Sequence, residues 1–151
     1  MNISIRWIVG LIVAVIMTWS GAAIAETDVE IGIIKNVKGV VTISRDSGSF
    51  SAVTGLSLYE RDVIITSRKS SVGVIFKDNS VLSVGPSSRL EVKEFVFEPA
   101  EEKLSFVAEI VRGTLTYLSG IITRLHPDGV EFRTPSATIG IRGTQIAIQV
   151  Q

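Results

Sequence analysis

The sequence predicts an all-β protein, either a sandwich or a short β-helix-like roll, in which many short strands form a single domain. Runs of β-branched and aromatic residues with alternating polarity recur about every 8–12 residues, the spacing typical of such folds. Clusters of glycine, serine, asparagine, aspartate and proline separate these runs. No helical periodicity of useful length lies between them, so a parallel sheet with crossover helices is not expected.

The start of the chain has the composition of a secretory leader. Arg6 lies in a short basic region, and an apolar core follows over residues 7–17. Ala23 and Ala25 then satisfy the small-residue rule for cleavage by a signal peptidase. Because apolar and small residues extend over about 20 positions, an uncleaved inner-membrane anchor is the alternative.

The sequence therefore divides into three parts. Residues 1–25 are predicted to be a signal peptide, residues 26–36 a lead-in, and residues 37–151 the all-β domain. We expect the mature protein to be periplasmic or otherwise exported, with no stable membrane span once the leader is cleaved.

The composition disfavours several classes of protein. The chain of 151 residues has no cysteine and one histidine, so disulfides, thiol catalysis and zinc clusters are not expected. Its formal net charge is zero, which gives no electrostatic case for binding nucleic acid or an anionic membrane surface. About 126 residues remain without the leader, enough for one domain held together by its core.

The first half of the domain is predicted to consist of short strands joined by tight turns, with one turn over residues 45–49. The clearest hairpin has Asp78 and Asn79 at its tip, because both residues tolerate the positive φ of a two-residue connection. The predicted strands are residues 37–44, with a bulge at Gly39, then 53–58, 63–66, 72–76 and 81–84.

The second half is predicted to continue in the same way. Residues 104–112 match both helical and strand spacing, and the β-rich run that follows Gly113 favours a strand. Ser119 and Gly120 are expected to bend the chain before it continues as a strand. The predicted elements are strands 90–97, 104–112, 114–118, 121–125 and 130–134, a loop at 98–103 and a turn at 126–129.

The closing stretch, residues 134–150, is predicted to be a strand, a glycine bend and a second strand. Gly140 and Gly143 flank Arg142 and are expected to let the backbone bend there. We predict that Arg142 ties this bend to a carboxylate or to backbone carbonyls of a neighbouring strand. The candidate structural or interaction motif comprises Thr134, Pro135, Ala137, Arg142, Gly143 and Thr144.

The sequence contains no recognisable catalytic constellation, and we predict no enzyme, metal or cofactor. His126 precedes Pro-Asp-Gly and is expected to be a turn residue rather than a base. Asp62 and Asp78 lie near turns, where aspartate usually accepts a hydrogen bond from nearby backbone. A nucleophile elbow is absent, and the glycines around Arg142 lack the lysine and the helix of a phosphate-binding loop.

The spacing of residues along most of the chain resembles the FecR domain. The resemblance runs from about residue 37 to the last residue, and its most specific part is T-P-x-A-x-x-x-x-R-G-T, from Thr134 to Thr144. The rest of the matching pattern comprises Gly55, Leu58, Asp62, Ile64, Thr66, Ser71, Phe76, Asp78, Ser80, Leu82, Gly85, Pro86, Ser88, Leu90, Gly113, Ser119 and Gly120.

This resemblance implies an all-β extracytoplasmic domain for protein contact and signal relay. The best-known members of the family are anti-sigma regulators that receive a signal from a TonB-dependent outer-membrane receptor. Two positions depart from the pattern, which has glycine where this chain has Arg61 and Asn79. Only about six residues precede the apolar run, so direct anti-sigma activity is not expected here.

Two functions are consistent with the sequence. The first is a non-catalytic protein-interaction or signal-relay module with an envelope protein as its partner. The alternative is a sensor domain that binds a small ligand or a cell-wall glycan. An aromatic platform would favour the sensor, and the candidate stacking residues are Tyr59, Phe95 and Tyr117. Aromatic residues on strands are more often core, so the first function is preferred.

Overall fold

The computed structural model describes residues 28–151; the predicted signal peptide lies outside this range. The described chain is all-β, with twelve strands in one curled sheet, as the sequence predicted. The strands are β1 (Glu30–Lys38), β2 (Val41–Arg45), β3 (Gly48–Ser51), β4 (Ser57–Tyr59), β5 (Val63–Thr66), β6 (Ser71–Phe76), β7 (Val81–Val84), β8 (Arg89–Glu98), β9 (Lys103–Leu118), β10 (Val130–Arg133), β11 (Thr138–Gly140) and β12 (Gln145–Val150). A 3₁₀ turn (Pro99–Glu101) and one short helix, α1 (Ile121–Leu125), complete the described elements.

The long strand β9 belongs to both halves of the sheet. Its first part pairs with β8 and, in parallel, with β10, and its last part pairs with β7 and β12. One half therefore runs β3-β2-β5-β8-β9-β10-β11, and the other runs β4-β1-β6-β7-β9-β12. Apart from the β9–β10 pair, neighbouring strands are antiparallel.

Gly113 lies where β9 passes from one half of the sheet to the other. Its φ of +97° lies in a region of backbone conformation that residues with a Cβ rarely adopt. A Cβ there would also collide with the Oγ atom of Ser88. The backbone of Thr114 donates to that same Oγ atom at 3.0 Å, so the passage of β9 is fixed by a glycine and a buried serine.

The two halves of the sheet enclose an aromatic core. The ring of Phe76 on β6 stacks on that of Phe95 on β8, with 5.4 Å between centroids. Phe106 on β9 lies 4.7 Å from Phe76 and 5.7 Å from Phe132 on β10. These rings are almost fully buried, and aromatic pairs at such distances stabilise a core beyond the area that they bury.

Two local predictions are confirmed by the structure. Residues 104–112, which matched helix and strand spacing equally, lie within β9. The hairpin between β6 and β7 has Asp78 and Asn79 at its tip, and Asn79 has the predicted positive φ, at +62°.

The strand predictions over residues 37–44 and 121–125 are wrong. The strand expected over residues 37–44 is two strands, because Gly39, with φ of +73°, lies in a turn between β1 and β2 rather than in a bulge. Strand β1 begins at Glu30, so strand pairing already occurs within residues 26–36. Residues 121–125 form helix α1 instead of a strand, because the carbonyl and the carboxylate of Asp78 accept hydrogen bonds from the first two amides of the helix.

Candidate functional site

Five polar residues from the part of the FecR-like pattern that precedes Thr134 lie in the interior of the protein. We refer to Asp62, Thr66, Asp78, Ser80 and Ser88 as the buried motif; each is at most 4% exposed. Buried polar groups destabilise a fold unless they are hydrogen-bonded. The partners of these side chains therefore show what the motif does.

Asp62 forms an ion pair with Arg45, a residue that was predicted to lie in a turn. Arg45, at the end of β2, donates from Nε to Oδ1 at 2.6 Å and from Nη2 to Oδ2 at 2.7 Å. The backbone N–H of Tyr59 also donates to Oδ2, at 2.9 Å. The guanidinium lies 4.4 Å from the centroid of the Tyr59 ring, and hydrogen bonding to Asp62 raises the pKa of Arg45. This pair ties β2 to the turn between β4 and β5.

Asp78 connects the β6–β7 hairpin to helix α1. Its Oδ1 atom accepts hydrogen bonds from the Ser80 backbone at 3.1 Å and from the Ser80 hydroxyl at 2.6 Å. Its Oδ2 atom accepts from the amide of Ile122 at 3.4 Å, and its carbonyl accepts from Ile121 at 2.8 Å. Gly120 lies against Asp78 and Ser80 so closely that a Cβ would approach the Ser80 amide nitrogen to 2.5 Å.

Thr66 and Ser88 bridge the ends of three strands. The Thr66 hydroxyl donates to the carbonyl of Gly85 at 2.6 Å and accepts from the Ser88 amide at 2.9 Å. The Ser88 hydroxyl in turn accepts from Thr114 on β9 at 3.0 Å. All five side chains of the buried motif are thus used inside the fold, and none is directed at solvent.

The closing motif lies on the surface instead. We refer to Thr134, Pro135, Ala137, Arg142, Gly143 and Thr144 as the C-terminal motif; all except the half-buried Thr134 are exposed. Thr134 and Ala137 close a tight turn between β10 and β11, in which the Thr134 hydroxyl accepts from the Ala137 amide at 3.0 Å. All six residues of the C-terminal motif therefore lie in the segment between the end of β10 and the start of β12.

Arg142 has the carboxylate partner that the sequence predicted. Its Nε and Nη2 atoms both donate to Oδ1 of Asp128, at 2.9 and 2.7 Å. The two side chains are 75% and 66% exposed, however, and exposed ion pairs contribute at most about 1 kcal/mol. The pair therefore holds the loop of the C-terminal motif in place only weakly.

The predicted order of strand, bend at Gly143 and second strand is confirmed, but the expected need for glycines beside Arg142 is wrong. Neither Gly140 nor Gly143 has a positive φ, and a Cβ built on either would meet no atom within 4 Å. Nothing in the described fold requires a glycine at these positions. Two exposed glycines thus lie near a weakly held arginine, with the buried Ile141 between Gly140 and Arg142.

A cleft lies elsewhere on the molecule, between the start of β1 and the end of β8. Its volume is about 570 Å³, and Ile31, Phe95 and Phe97 contribute apolar surface to it. Both signs of charge line the cleft: acidic Asp28, Glu30, Asp46, Glu60 and Glu98, and basic Arg45, Arg61 and Lys77.

The proposed aromatic stacking residues do not form a binding platform. Tyr117 and Phe95 belong to the core, and the ring of Tyr59 is covered by the Arg45 guanidinium. Burial raises the pKa of Tyr117 to about 12. Its hydroxyl lies near Ser80 and Thr123 but makes no hydrogen bond of standard geometry.

Comparison with protein families matches residues 62–151, well over half of the chain, to the family described as FecR protein. The matched range contains the buried motif and the C-terminal motif. The chain belongs to the FecR family. No curated protein and no solved structure matches it. FecR membership indicates a signalling or regulatory role. Among residues 28–151 of this FecR protein, no helix has the length and apolar character needed to span a bilayer.

The two departures from the FecR pattern are accommodated without a change of backbone. Arg61 and Asn79 stand where the pattern has glycine, and their φ angles are +65° and +62°. Both residues thus adopt the left-handed conformation that glycine adopts freely, which for Arg61 costs about 1–2 kcal/mol. The interaction of Arg45 with Asp62 was missed because the two residues are 17 positions apart and only Asp62 belongs to the matching pattern.

Proposed function

We propose that this FecR domain is an exported, non-catalytic module that binds a protein of the cell envelope and relays a signal through that contact. The surface that we assign to the contact is the C-terminal motif together with Gly140. A regulatory role follows from family membership, whereas export rests on the predicted leader. The buried motif has no part in the contact, because its polar atoms are already bonded within the fold.

The exposed glycines are the observation that carries this proposal. A glycine in or beside a strand usually marks a sharp bend, a crowded contact or a close approach of another chain. Gly143 does lie in a bend between β11 and β12, but neither its φ angle nor that of Gly140 requires a glycine, and the space over both is empty. We therefore infer the third explanation for both positions. A partner backbone can approach here without meeting a side chain, and Arg142 beside it offers several fixed donors.

Site-specific photo-crosslinking in the native host tests the contact. A photoreactive amino acid at Ala137, an exposed residue of the C-terminal motif, is expected to capture a discrete envelope protein. The matched control is Val40, which is 66% exposed but lies in the β1–β2 turn outside the motif. Capture at Val40 and not at Ala137 would place the contact elsewhere on the domain.

Export is tested separately by the intact mass of the protein from the native host. Cleavage after Ala25 is expected, because Ala23 and Ala25 satisfy the small-residue rule. A mass that includes residues 1–25 would indicate an anchored protein, and the photo-crosslinking result would then apply to a membrane-bound domain.

A small-ligand sensor is the second candidate, because the charged cleft has a volume within the range of about 300–1,000 Å³ typical of ligand sites. A change in melting temperature with cell-wall fragments would support this function. The change should be lost in Lys77→Glu, which alters the cleft, and retained in Lys69→Glu, which lies in a turn outside it. No change with any fragment would leave the protein-contact function as the only candidate.

A further inference from the structure

Strand β12 is an open edge of the sheet. Residues 145–150 pair with β9 on one side, from Gln145 opposite Leu118 to Val150 opposite Gly113. Within residues 28–151, no strand pairs with the other side of β12. An open edge presents unpaired backbone donors and acceptors, which another extended chain can bind.

The hydrogen-bond pattern shows which residues direct their main-chain groups outward. The Ser119 amide donates to the Thr144 carbonyl at 2.9 Å, so these two residues form a hydrogen-bonded pair. Such pairs alternate along an antiparallel ladder, so Ile146 and Ile148 bond to β9. The N–H and C=O groups of Gln145, Ala147 and Gln149 therefore point to the open edge.

This edge lacks the features that usually protect an edge strand from pairing. Its six residues, QIAIQV, include no charge and no proline, and its register with β9 has no bulge. The other edge strands are shorter: β3 has four residues, and β4 and β11 have three each. Strand β12 is thus the longest of the four strands that end a row of the described sheet.

The sequence of β12 is also symmetric in reverse. Residues 145–149 read Gln-Ile-Ala-Ile-Gln in both directions. When two copies of such a strand pair antiparallel about Ala147, every residue meets one of its own kind. Ala147 opposes Ala147 of the second copy, Gln145 opposes Gln149, and Ile146 opposes Ile148.

We propose that two copies of this chain associate through β12, with Ala147 on the two-fold axis. The three outward-directed residues are the ones that this register makes into hydrogen-bonded pairs, which gives about six backbone hydrogen bonds across the axis. The glutamine side chains then meet on the exposed face. The strand is uncharged and the chain as a whole is neutral, so two copies approach without repulsion. The inference does not depend on the proposed envelope partner.

Disulfide crosslinking tests the register directly, because the chain contains no cysteine of its own. Opposed residues of a hydrogen-bonded pair have Cα atoms about 5.5 Å apart, within the disulfide range of roughly 4.4–6.8 Å. Full-length Ala147→Cys is expected to crosslink under mild oxidation at least about tenfold faster than Ser49→Cys, an exposed control on edge strand β3.

Two further single-cysteine variants distinguish this register from random collision. Gln145→Cys and Gln149→Cys should each stay uncrosslinked alone, because like positions lie about 14 Å apart along the paired strands. An equal mixture of the two variants should crosslink. Crosslinking of Gln145→Cys alone, or equal rates for Ala147→Cys and Ser49→Cys, would overturn the proposal.

Sedimentation equilibrium of the full chain supplies the second test. The parent is expected to be a dimer, and Ala147→Lys should weaken it at least about fivefold, because like charges then meet on the axis. Mixing Ala147→Lys with Ala147→Glu should restore the dimer, which no folding defect would explain. The control Ser49→Lys should stay dimeric. A monomeric parent, or a dimer unaffected by Ala147→Lys, would contradict the assignment.

Discussion

The buried motif and the C-terminal motif belong to the same family pattern but differ in their surroundings. Asp62 is fully buried and holds Arg45 with two short hydrogen bonds, whereas Arg142 and Asp128 form a similar ion pair in solvent. Gly113 and Gly120 are crowded on their Cβ side, whereas Gly140 and Gly143 face open space. One motif is explained by the fold, and the other is not.

The contrast separates residues of the family pattern that the fold requires from residues that it does not require. Residues of the pattern that satisfy buried partners or avoid a steric clash need no function beyond stability. Residues of the pattern that do neither are the ones for which a function has to be found. In this FecR protein that criterion selects the C-terminal motif.

The largest expected effect comes from breaking the buried ion pair. Asp62→Ala leaves the Arg45 guanidinium without its partner and should destabilise the domain by about 3 kcal/mol, the lower end for a buried pair, since Arg45 is partly exposed. Asp128→Ala, the matched change in the exposed pair, should alter the free energy of unfolding by at most about 1 kcal/mol. Chemical denaturation of both variants measures the contrast. Equal losses would remove the distinction between the two motifs.

The glycines provide a second contrast. Gly120→Ala forces a Cβ against the hairpin backbone and should destabilise by about 2–3 kcal/mol, and Gly113→Ala by a similar amount because of its positive φ. Gly143→Ala should change stability by less than about 0.5 kcal/mol or stabilise slightly, because the backbone there suits alanine. Thermal melts of the three variants test this. A destabilised Gly143→Ala would mean that the fold does need this glycine.

Burial of Tyr117 predicts a loss of stability in alkali. The pKa of this phenol is about 12 in the folded state and about 10 in the unfolded chain, so above pH 10 the unfolded chain binds fewer protons. Stability is therefore unaffected below about pH 10 and falls by about 2 kcal/mol towards pH 12. Denaturation at several pH values measures the loss, and Tyr117→Phe should remove this contribution. An unchanged profile in Tyr117→Phe would contradict the assignment.

The expected effect on stability is also small at Arg142. Arg142→Ala should lower the melting temperature by no more than about 4 °C, because its ion pair with Asp128 is exposed. Arg142→Lys should melt like the parent but bind a partner less well, because an ammonium group lacks the planar fork of donors. A large drop in melting temperature for either variant would make Arg142 a structural residue, as the sequence first suggested.

Short-range features of the fold could be predicted from the sequence, and long-range ones could not. The Asp78–Asn79 hairpin depends on two turn residues and the alternation beside them, so the local sequence is sufficient. Helix α1 depends on Asp78, which is 44 positions from Ile122, and the same residues by themselves resemble a strand. Gly39 was expected to mark a bulge within one strand, but β1 before it pairs with β6 and β2 after it pairs with β5, so it lies in a turn.

The candidate site could be located in sequence but not explained. The spacing of the C-terminal motif identified its residues, and the carboxylate partner of Arg142 was expected. The purpose assigned to the glycines was wrong, because whether a Cβ has room depends on residues distant in sequence. The Arg45–Asp62 pair was missed for the same reason, since a turn residue gives no local sign of a buried partner.

The central claim is that the C-terminal motif serves contact rather than folding, and one variant tests it most directly. Gly143→Leu adds a side chain where the structure has open space, so its free energy of unfolding should stay within about 0.5 kcal/mol of the parent. Quantitative mass spectrometry then compares the envelope proteins captured by the two forms. We predict that the variant melts like the parent but loses the captured partner. A variant that captures the same proteins in the same yield would contradict the account.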